Sequence, residues 1–277
     1  MKARRVSRCS IPRSRWSKMP RTSLSLLVAL ALTALLTPAL AQAETGDRAA
    51  FLAGTTNDCP GCDLHGARLK GRDLTGANLE GADLSDVVLH RAVLTRANLR
   101  NANLVGSNLN VTDLKFADLT GANLEGALLY QADLSAATLE GANLTEARTQ
   151  HADFSRAKMG NAVWTGGLSD EAVLVGTDLA GATLTGTRFF KADMRKASLA
   201  RAEISRAVFY EARLISADLS GVVAHDADFR YARLTDADLA GADLDGARML
   251  QAWLTGADLS GANIEAANTG DDPAPTN

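Results

Sequence analysis

A five-residue period of apolar and polar positions dominates the chain. From Leu64 to Ile264, 41 positions lie in one phase, and 38 of them are Leu, Ile, Phe, Met or Trp; the exceptions are Thr149, Ser169 and Ala224. Two residues before these positions, Ala occurs in 32 of the 41 repeats, usually followed by a polar residue. A period of five fits neither the 3.6-residue repeat of a helix nor the two-residue repeat of a strand. The pattern therefore predicts a repeat architecture.

A coil with flat sides and sharp corners would bury this pattern. Each pentapeptide would form one side and place its large and small apolar residues inside, so that four sides close a turn of twenty residues. One turn cannot enclose its own core, so successive turns must stack at the spacing of adjacent strands, about 4.8 Å. We expect an all-β solenoid of about ten coils over residues 62–266.

Tandem A(D/N)LXX motifs carry a family resemblance. They include ADL at 82–84, ANL at 97–99 and ADL at 257–259. The chain resembles the pentapeptide-repeat family from Cys62 to about Ala266, and this resemblance implies a right-handed quadrilateral β-helix. The opening CPGCDL at 59–64 also resembles the start of many secreted members. The resemblance indicates the fold far more closely than the function.

Residues 1–43 have the composition of a signal peptide. They contain eight Lys or Arg and no Asp or Glu, and an apolar stretch at 24–36 precedes the small residues of an A-x-A site. We expect cleavage after Ala43, a periplasmic or secreted protein, and no stable membrane span after cleavage. An uncleaved membrane anchor is the alternative, although 24–41 is barely long enough to cross a membrane. Translation could also start at Met19 instead of Met1.

The formal net charge of −3 hides a strong asymmetry. Beyond residue 43 the chain has 21 basic and 32 acidic residues, a net charge of about −11. This argues against direct nucleic-acid binding. Outward Asp and Asn rows, such as Asp218, Asp238 and Asp258, would either cap corners or imitate the charge of a DNA duplex. The second reading resembles family members that protect DNA gyrase or another topoisomerase, but a signal peptide argues against it.

The sequence offers no constellation for catalysis, a metal or a cofactor. Its four His fall on widely separated positions, and the motifs of phosphate-binding loops, zinc proteases and serine hydrolases are missing. We therefore expect no enzyme. Cys59 and Cys62 are spaced as a metal or redox half-site, but zinc would need two further ligands. A disulfide at the N-terminal edge is favoured over free thiols.

Residues twenty apart should stack, so each side can be followed along the coil. One inward column contains Phe189, Phe209 and Phe229. Outward residues of the same side and its neighbour should form an aromatic interaction or self-association face. The alternative is scattered surface apolar residues covered by Lys and Arg stems. The predicted face consists of Tyr130, Phe190, Val208, Tyr210, Arg230, Tyr231, Leu250 and Trp253.

Three segments depart from the repeat. Residues 44–61 should cap the N-terminal edge, 165–171 should form a loop or kink, and 267–277 should be a disordered tail. That would leave the C-terminal edge poorly covered, so Leu254, Leu259 and Ile264 are candidates for the end-to-end homodimer that the family resemblance implies. The whole pattern predicts a non-catalytic, exported scaffold or protein–protein interaction module with an unidentified protein partner.

Overall fold

The computed structural model describes residues 48–268. The chain divides into two compact units, Met1–Gly46 and Asp47–Asn277, and all described residues belong to the second. The predicted signal peptide and residues 269–277 of the predicted tail lie outside the described residues. No helix within 48–268 has the length and apolar character needed to cross a membrane.

Parallel β-bridges define the coil. Every fifth residue from 63 to 248 pairs with the residue twenty positions later, from Asp63 with Asp83 to Arg248 with Asn268. One turn therefore takes four pentapeptides and has four sides. The bridging positions are 63, 83 and so on to 263 on side 1, 68 to 268 on side 2, 73 to 253 on side 3 and 78 to 258 on side 4. The residues after each bridge turn the corner, so the described part of the chain contains single bridges and no longer strands. The result is a β-solenoid.

Side-chain hydrogen bonds stabilise the corners. Asp118 Oδ1 accepts from the backbone N–H of Thr120 at 3.0 Å, and Asp218 and Asp238 accept in the same way two residues on. The corner-capping interpretation of the Asp and Asn rows is confirmed by these bonds. One corner position in each repeat has a positive φ, occupied by Gly in many coils but also by larger residues such as Phe116, with φ 58°.

The core consists of stacked apolar columns. Central Leu residues and their Ala partners are buried along the solenoid. In the Phe column, the rings of Phe189 and Phe209 lie 5.3 Å apart, those of Phe209 and Phe229 lie 5.0 Å apart, and both pairs are within 7° of parallel. The predicted inward Phe ladder is confirmed.

The loop expected at 165–171 does not form, because the coil keeps its register there. Bridges join Val163 to Thr183 and Leu168 to Arg188 at the usual spacing. The motif changes beside Trp164, which fills the interior: a Cβ at residue 167 would lie 2.7 Å from its Nε1, so any side chain there would force the indole to shift. Small inward residues beside it, Thr149 and Ser169, hydrogen-bond each other at 2.8 Å.

A short helix lies at the N-terminal edge. Helix α1 spans residues 48–53 and buries Phe51 completely. The guanidinium of Arg72 lies 4.2 Å from the Phe51 ring and donates to the carbonyl of Thr56 at 3.1 Å. Burial lowers the pKa of this guanidinium. Arg72 occupies an inward position that Ala fills in most repeats, and the helix segment covers it.

Candidate interaction surface

The predicted face lies on sides 2 and 3. Phe190 and Tyr210 follow successive bridges of side 2, and Tyr130 lies three coils before Phe190 on the same side. Tyr231 lies at the corner between the sides, and Trp253 lies on side 3. Tyr130 and Trp253 expose 43% and 59% of their surface. Phe190 and Tyr210 are half-buried. Of the remaining predicted residues, Leu250 is exposed and Val208 and Arg230 are half-buried.

Three outward rings form a continuous group, which we call the aromatic row: Phe190, Tyr210 and Tyr231. The rings of Phe190 and Tyr210 are stacked at 5.9 Å, and those of Tyr210 and Tyr231 are tilted at 5.2 Å. Cations border the row, with Lys191 Nζ 4.8 Å from the Phe190 ring and the Arg230 guanidinium 5.2 Å from the Tyr210 ring. These contacts hold the rings in place while their outer surface stays accessible.

A nearly buried carboxylate anchors the cations beside the row. Asp228 receives hydrogen bonds from Arg230 Nε at 2.8 Å and Nη2 at 2.6 Å, and Arg248 Nη1 lies 3.7 Å away. Burial by itself would raise the pKa of Asp228, but the hydrogen bonds from Arg230 and the two positive charges outweigh burial and lower it. Asp228 is therefore ionised near neutral pH and fixes the position of the Arg230 fork.

Two shallow concavities follow one another along side 2. The first, of about 490 Å³, lies between Tyr130 and Phe190, and the second, of about 450 Å³, lies between Phe190 and Arg230. Sequence reasoning missed Leu128, His151 and Asp170, which line the first. The sequence could have indicated them, because each stands a multiple of twenty residues before a residue of the predicted face. In the structure, the His151 ring packs edge-on against Tyr130 at 5.4 Å, and Asp170 Oδ1 accepts a hydrogen bond from Arg188 Nε at 2.6 Å.

Charge is divided between opposite sides of the C-terminal coils. Within 188–266, sides 2 and 3 carry eight basic and four acidic residues, whereas sides 4 and 1 carry two basic and eight acidic residues. The first pair of sides thus has a net charge of +4, and the second pair −6, with His225 neutral. The eight basic residues on sides 2 and 3 are Arg188, Lys191, Arg195, Lys196, Arg213, Arg230, Arg233 and Arg248.

The cysteines and histidines take separate positions. Cys59 and Cys62 are joined by a disulfide, with Cys59 fully buried. His65 lies near Ser85, and His225 Nε2 lies 2.8 Å from Asp243 Oδ2 at the other end of side 1. Nowhere in residues 48–268 do three or more His, Cys, Asp or Glu side chains come together in an arrangement that could hold a metal.

The C-terminal coil is the most open part of the described core. Leu254 and Leu259 are half-buried, and Ile264 is 50% exposed. The repeat reaches two residues past the predicted boundary at 266, since Asn268 still pairs with Arg248. End-to-end association through these three side chains stays a prediction.

The fold and its surface place the chain among the β-solenoid repeat proteins. The family model for pentapeptide repeats matches in eight copies, and the chain belongs to the pentapeptide-repeat family. The matched residues are 62–100, 73–110, 92–130, 112–148, 170–205, 188–223 and 225–261. None of the curated proteins matches the chain.

Several solved structures are similar. HetL of Nostoc sp. strain PCC 7120, a pentapeptide repeat protein involved in heterocyst differentiation regulation, is 30% identical over 83% of this chain and 98% of its own, with a TM-score of 0.36. A thylakoid-lumen pentapeptide repeat protein of Arabidopsis thaliana is 35% identical over 35% of this chain and 65% of its own, with a TM-score of 0.28. QnrB1, a plasmid-mediated fluoroquinolone resistance protein, is 17% identical over 73% and 92%, with a TM-score of 0.33.

Proposed function

We propose that this protein is an exported, non-catalytic scaffold that binds a protein partner through the aromatic row. The observation that carries the proposal is a group of outward rings, spaced one coil apart and bordered by Arg and Lys. Parallel bridges between successive coils hold the backbone beneath these rings. Tyr and Arg are enriched in the parts of interfaces that contribute most to affinity. A solenoid side also binds with little loss of backbone entropy, because each coil is already fixed by its neighbours.

Replacement of Phe190 and Tyr210 by Ser tests the binding role. A photo-reactive cross-linker at position 251, an exposed corner one coil beyond Tyr231, would be used in the native host. We expect cross-linked product to fall about tenfold or more, because hot-spot aromatic residues of an interface contribute about 2 kcal/mol or more each. The matched control is Val111→Ser with Phe116→Ser, two exposed apolar residues that lie outside coils 188–266. Equal cross-linking in both double variants, with unchanged folding, would exclude the aromatic row as the binding surface.

Export is the second part of the proposal and has its own test. The basic, apolar and small-residue segments of 1–43 support it. Fractionation of host cells followed by N-terminal sequencing should find the protein outside the cytoplasm and beginning at Glu44. A cytoplasmic chain that retains Met1 or Met19 would contradict export, and a DNA gyrase binding assay would then be the next experiment.

A further inference from the structure

We propose that sides 2 and 3 of one copy dock against sides 4 and 1 of a second copy, so that solenoids associate side by side. This inference rests on the proposed function, since it names the partner of the aromatic row as another molecule of the same chain. The row Phe190, Tyr210 and Tyr231 supplies the apolar part of the contact, and the division of charge supplies the orientation.

Charge complementarity favours this contact over others. Within 188–266 the proposed surfaces carry +4 and −6 and lie on opposite sides of the coil. A symmetric contact of sides 2 and 3 with themselves would bring two positive surfaces together, and a contact of sides 4 and 1 with themselves would bring two negative ones. Complementary potentials attract and orient partners, while like charges at close range oppose binding.

The free charges on the two surfaces are accessible. Lys196 and Arg233 are exposed and, within the described coils, form no ion pair. On the opposite sides, Asp238 and Asp258 use Oδ1 for their own corners, and Oδ2 accepts no hydrogen bond from residues 48–268. Each surface therefore keeps charge that its own ion pairs and corner bonds do not neutralise.

Shape and period also match. Outward positions of side 4 include Ala200 and Ala240, whose short side chains leave a flat surface on which aromatic rings can pack. Both surfaces repeat every twenty residues, so a contact made by one coil recurs one coil further along at the same spacing of about 4.8 Å. Several weak contacts can then form together without distortion of either solenoid. Because the two surfaces of the contact differ, the interface is heterologous: each copy keeps one surface free and can bind a further copy beside it.

Charge exchange tests the proposal directly. Variant one replaces Lys196 and Arg233 by Glu. Variant two replaces Asp226 and Asp245 by Lys; both are exposed acidic residues of side 1 whose side chains cap no corner in residues 48–268. Lys is compatible with the positive φ of position 226, since Lys191 and Lys196 occupy equivalent corners with φ of 56° and 58°. Circular dichroism would show that both variants keep the wild-type fold.

Sedimentation velocity of the purified mature protein would be measured from 1 μM to 500 μM at low and at high salt. We expect wild type to associate at low salt and to weaken about tenfold or more at high salt, because screening shortens the range of the attraction. Each variant alone should associate about tenfold or more weakly than wild type, because the exchange lowers one surface from +4 to 0 in variant one and the other from −6 to −2 in variant two. An equimolar mixture should associate again, because the unaltered +4 surface of variant two then meets the unaltered −6 surface of variant one.

Three results would overturn the inference: a monomeric wild type at every concentration, variants that associate as wild type does, or a mixture that stays monomeric. The cross-linking experiment with Phe190→Ser and Tyr210→Ser separates this failure from failure of the proposed function. A monomeric wild type that still cross-links, through the aromatic row, to a different protein in cells would reject self-association and keep the binding role.

Discussion

Gly167 shows how one bulky core residue alters its neighbours. Its position is filled by Ala in most repeats, but Trp164 Cδ1 would lie 2.8 Å from an added Cβ, and the carbonyl of Ala147 would lie 3.1 Å away. The indole also packs against Phe154 at 5.0 Å and Phe189 at 5.4 Å between ring centroids, so it has little freedom to move aside. A large residue in one column is thus accommodated by a missing side chain three residues later.

Replacing Gly167 by Ala should therefore destabilise the solenoid by about 1–3 kcal/mol, the usual cost of overpacking a core. The additional change Trp164→Leu should remove most of that loss, because the two atoms closest to the added Cβ, at 2.7 and 2.8 Å, belong to the indole. Urea unfolding of wild type, both single variants and the double variant gives the coupling energy through a double-mutant cycle. Strictly additive free energies of unfolding would contradict this account of Gly167.

The N-terminal cap is the element that differs most from the repeats it covers. Phe51 of α1 is buried against the guanidinium of Arg72, and the disulfide between Cys59 and Cys62 closes the chain segment that connects the helix to the first coil. In a solenoid each coil contacts mainly its neighbours, so loss of one element propagates weakly along the stack. The cap and the distant Phe ladder should therefore respond independently.

Reduction of the disulfide should loosen the cap alone. Closure of so short a loop contributes about 2 kcal/mol to local stability on the chain-entropy model. With reductant, amide hydrogen exchange should become faster in residues 48–66 and remain unchanged in residues 189–229. Cys59→Ser with Cys62→Ser is the control, because its exchange should no longer depend on reductant. Faster exchange along the whole solenoid, or none in the cap, would contradict this independence.

At the scale of the whole molecule, the five-residue phase was sufficient to predict the register of every bridge and the Phe ladder, since both depend only on residues twenty apart. It was insufficient at 165–171, where the motif is lost because the large side chain of Trp164 occupies the space of the missing side chain at Gly167. This compensation depends on which side chains meet inside the coil, and the five-residue phase does not show that. The five-residue phase places Arg72 at an inward position but does not show how its charge is accommodated there, because its partners Phe51 and Thr56 precede the repeat. The aromatic row could be predicted because residues twenty apart stack on one side of the coil. The ion pairs beside it could not be predicted, because they depend on side-chain rotamers.

The repeated corner carboxylates give the whole solenoid a predictable response to acid. Hydrogen bonds from the Thr75 side chain and backbone lower the pKa of Asp73, and bonds from the Ser260 backbone and side chain lower that of Asp258. A lowered pKa in the folded state means stability that is present above the unfolded pKa of about 3.9 and lost as pH falls through the folded value. The pKa values of Asp83, Asp118 and Asp133 are lowered as well, so the effects of these corners add along the stack.

His225 acts in the opposite direction. The hydrogen bond with Asp243 raises its pKa, desolvation opposes this effect, and the negative charges of Asp243, Asp245 and Glu203 each raise the pKa by a smaller amount. Its contribution is complete below the unfolded pKa of about 6.5 and is lost as pH rises through the raised folded value.

The urea midpoint should therefore be highest between about pH 4.5 and 6.5, fall strongly towards pH 2.5 and fall slightly above pH 7. Asp73→Asn with Asp258→Asn should reduce the acid limb, because Asn keeps an accepting oxygen but does not titrate. Asp243→Asn should reduce the alkaline limb, because the charges of Asp245 and Glu203 remain. A midpoint that stays constant between pH 5 and 2.5 would contradict the role of the corner carboxylates.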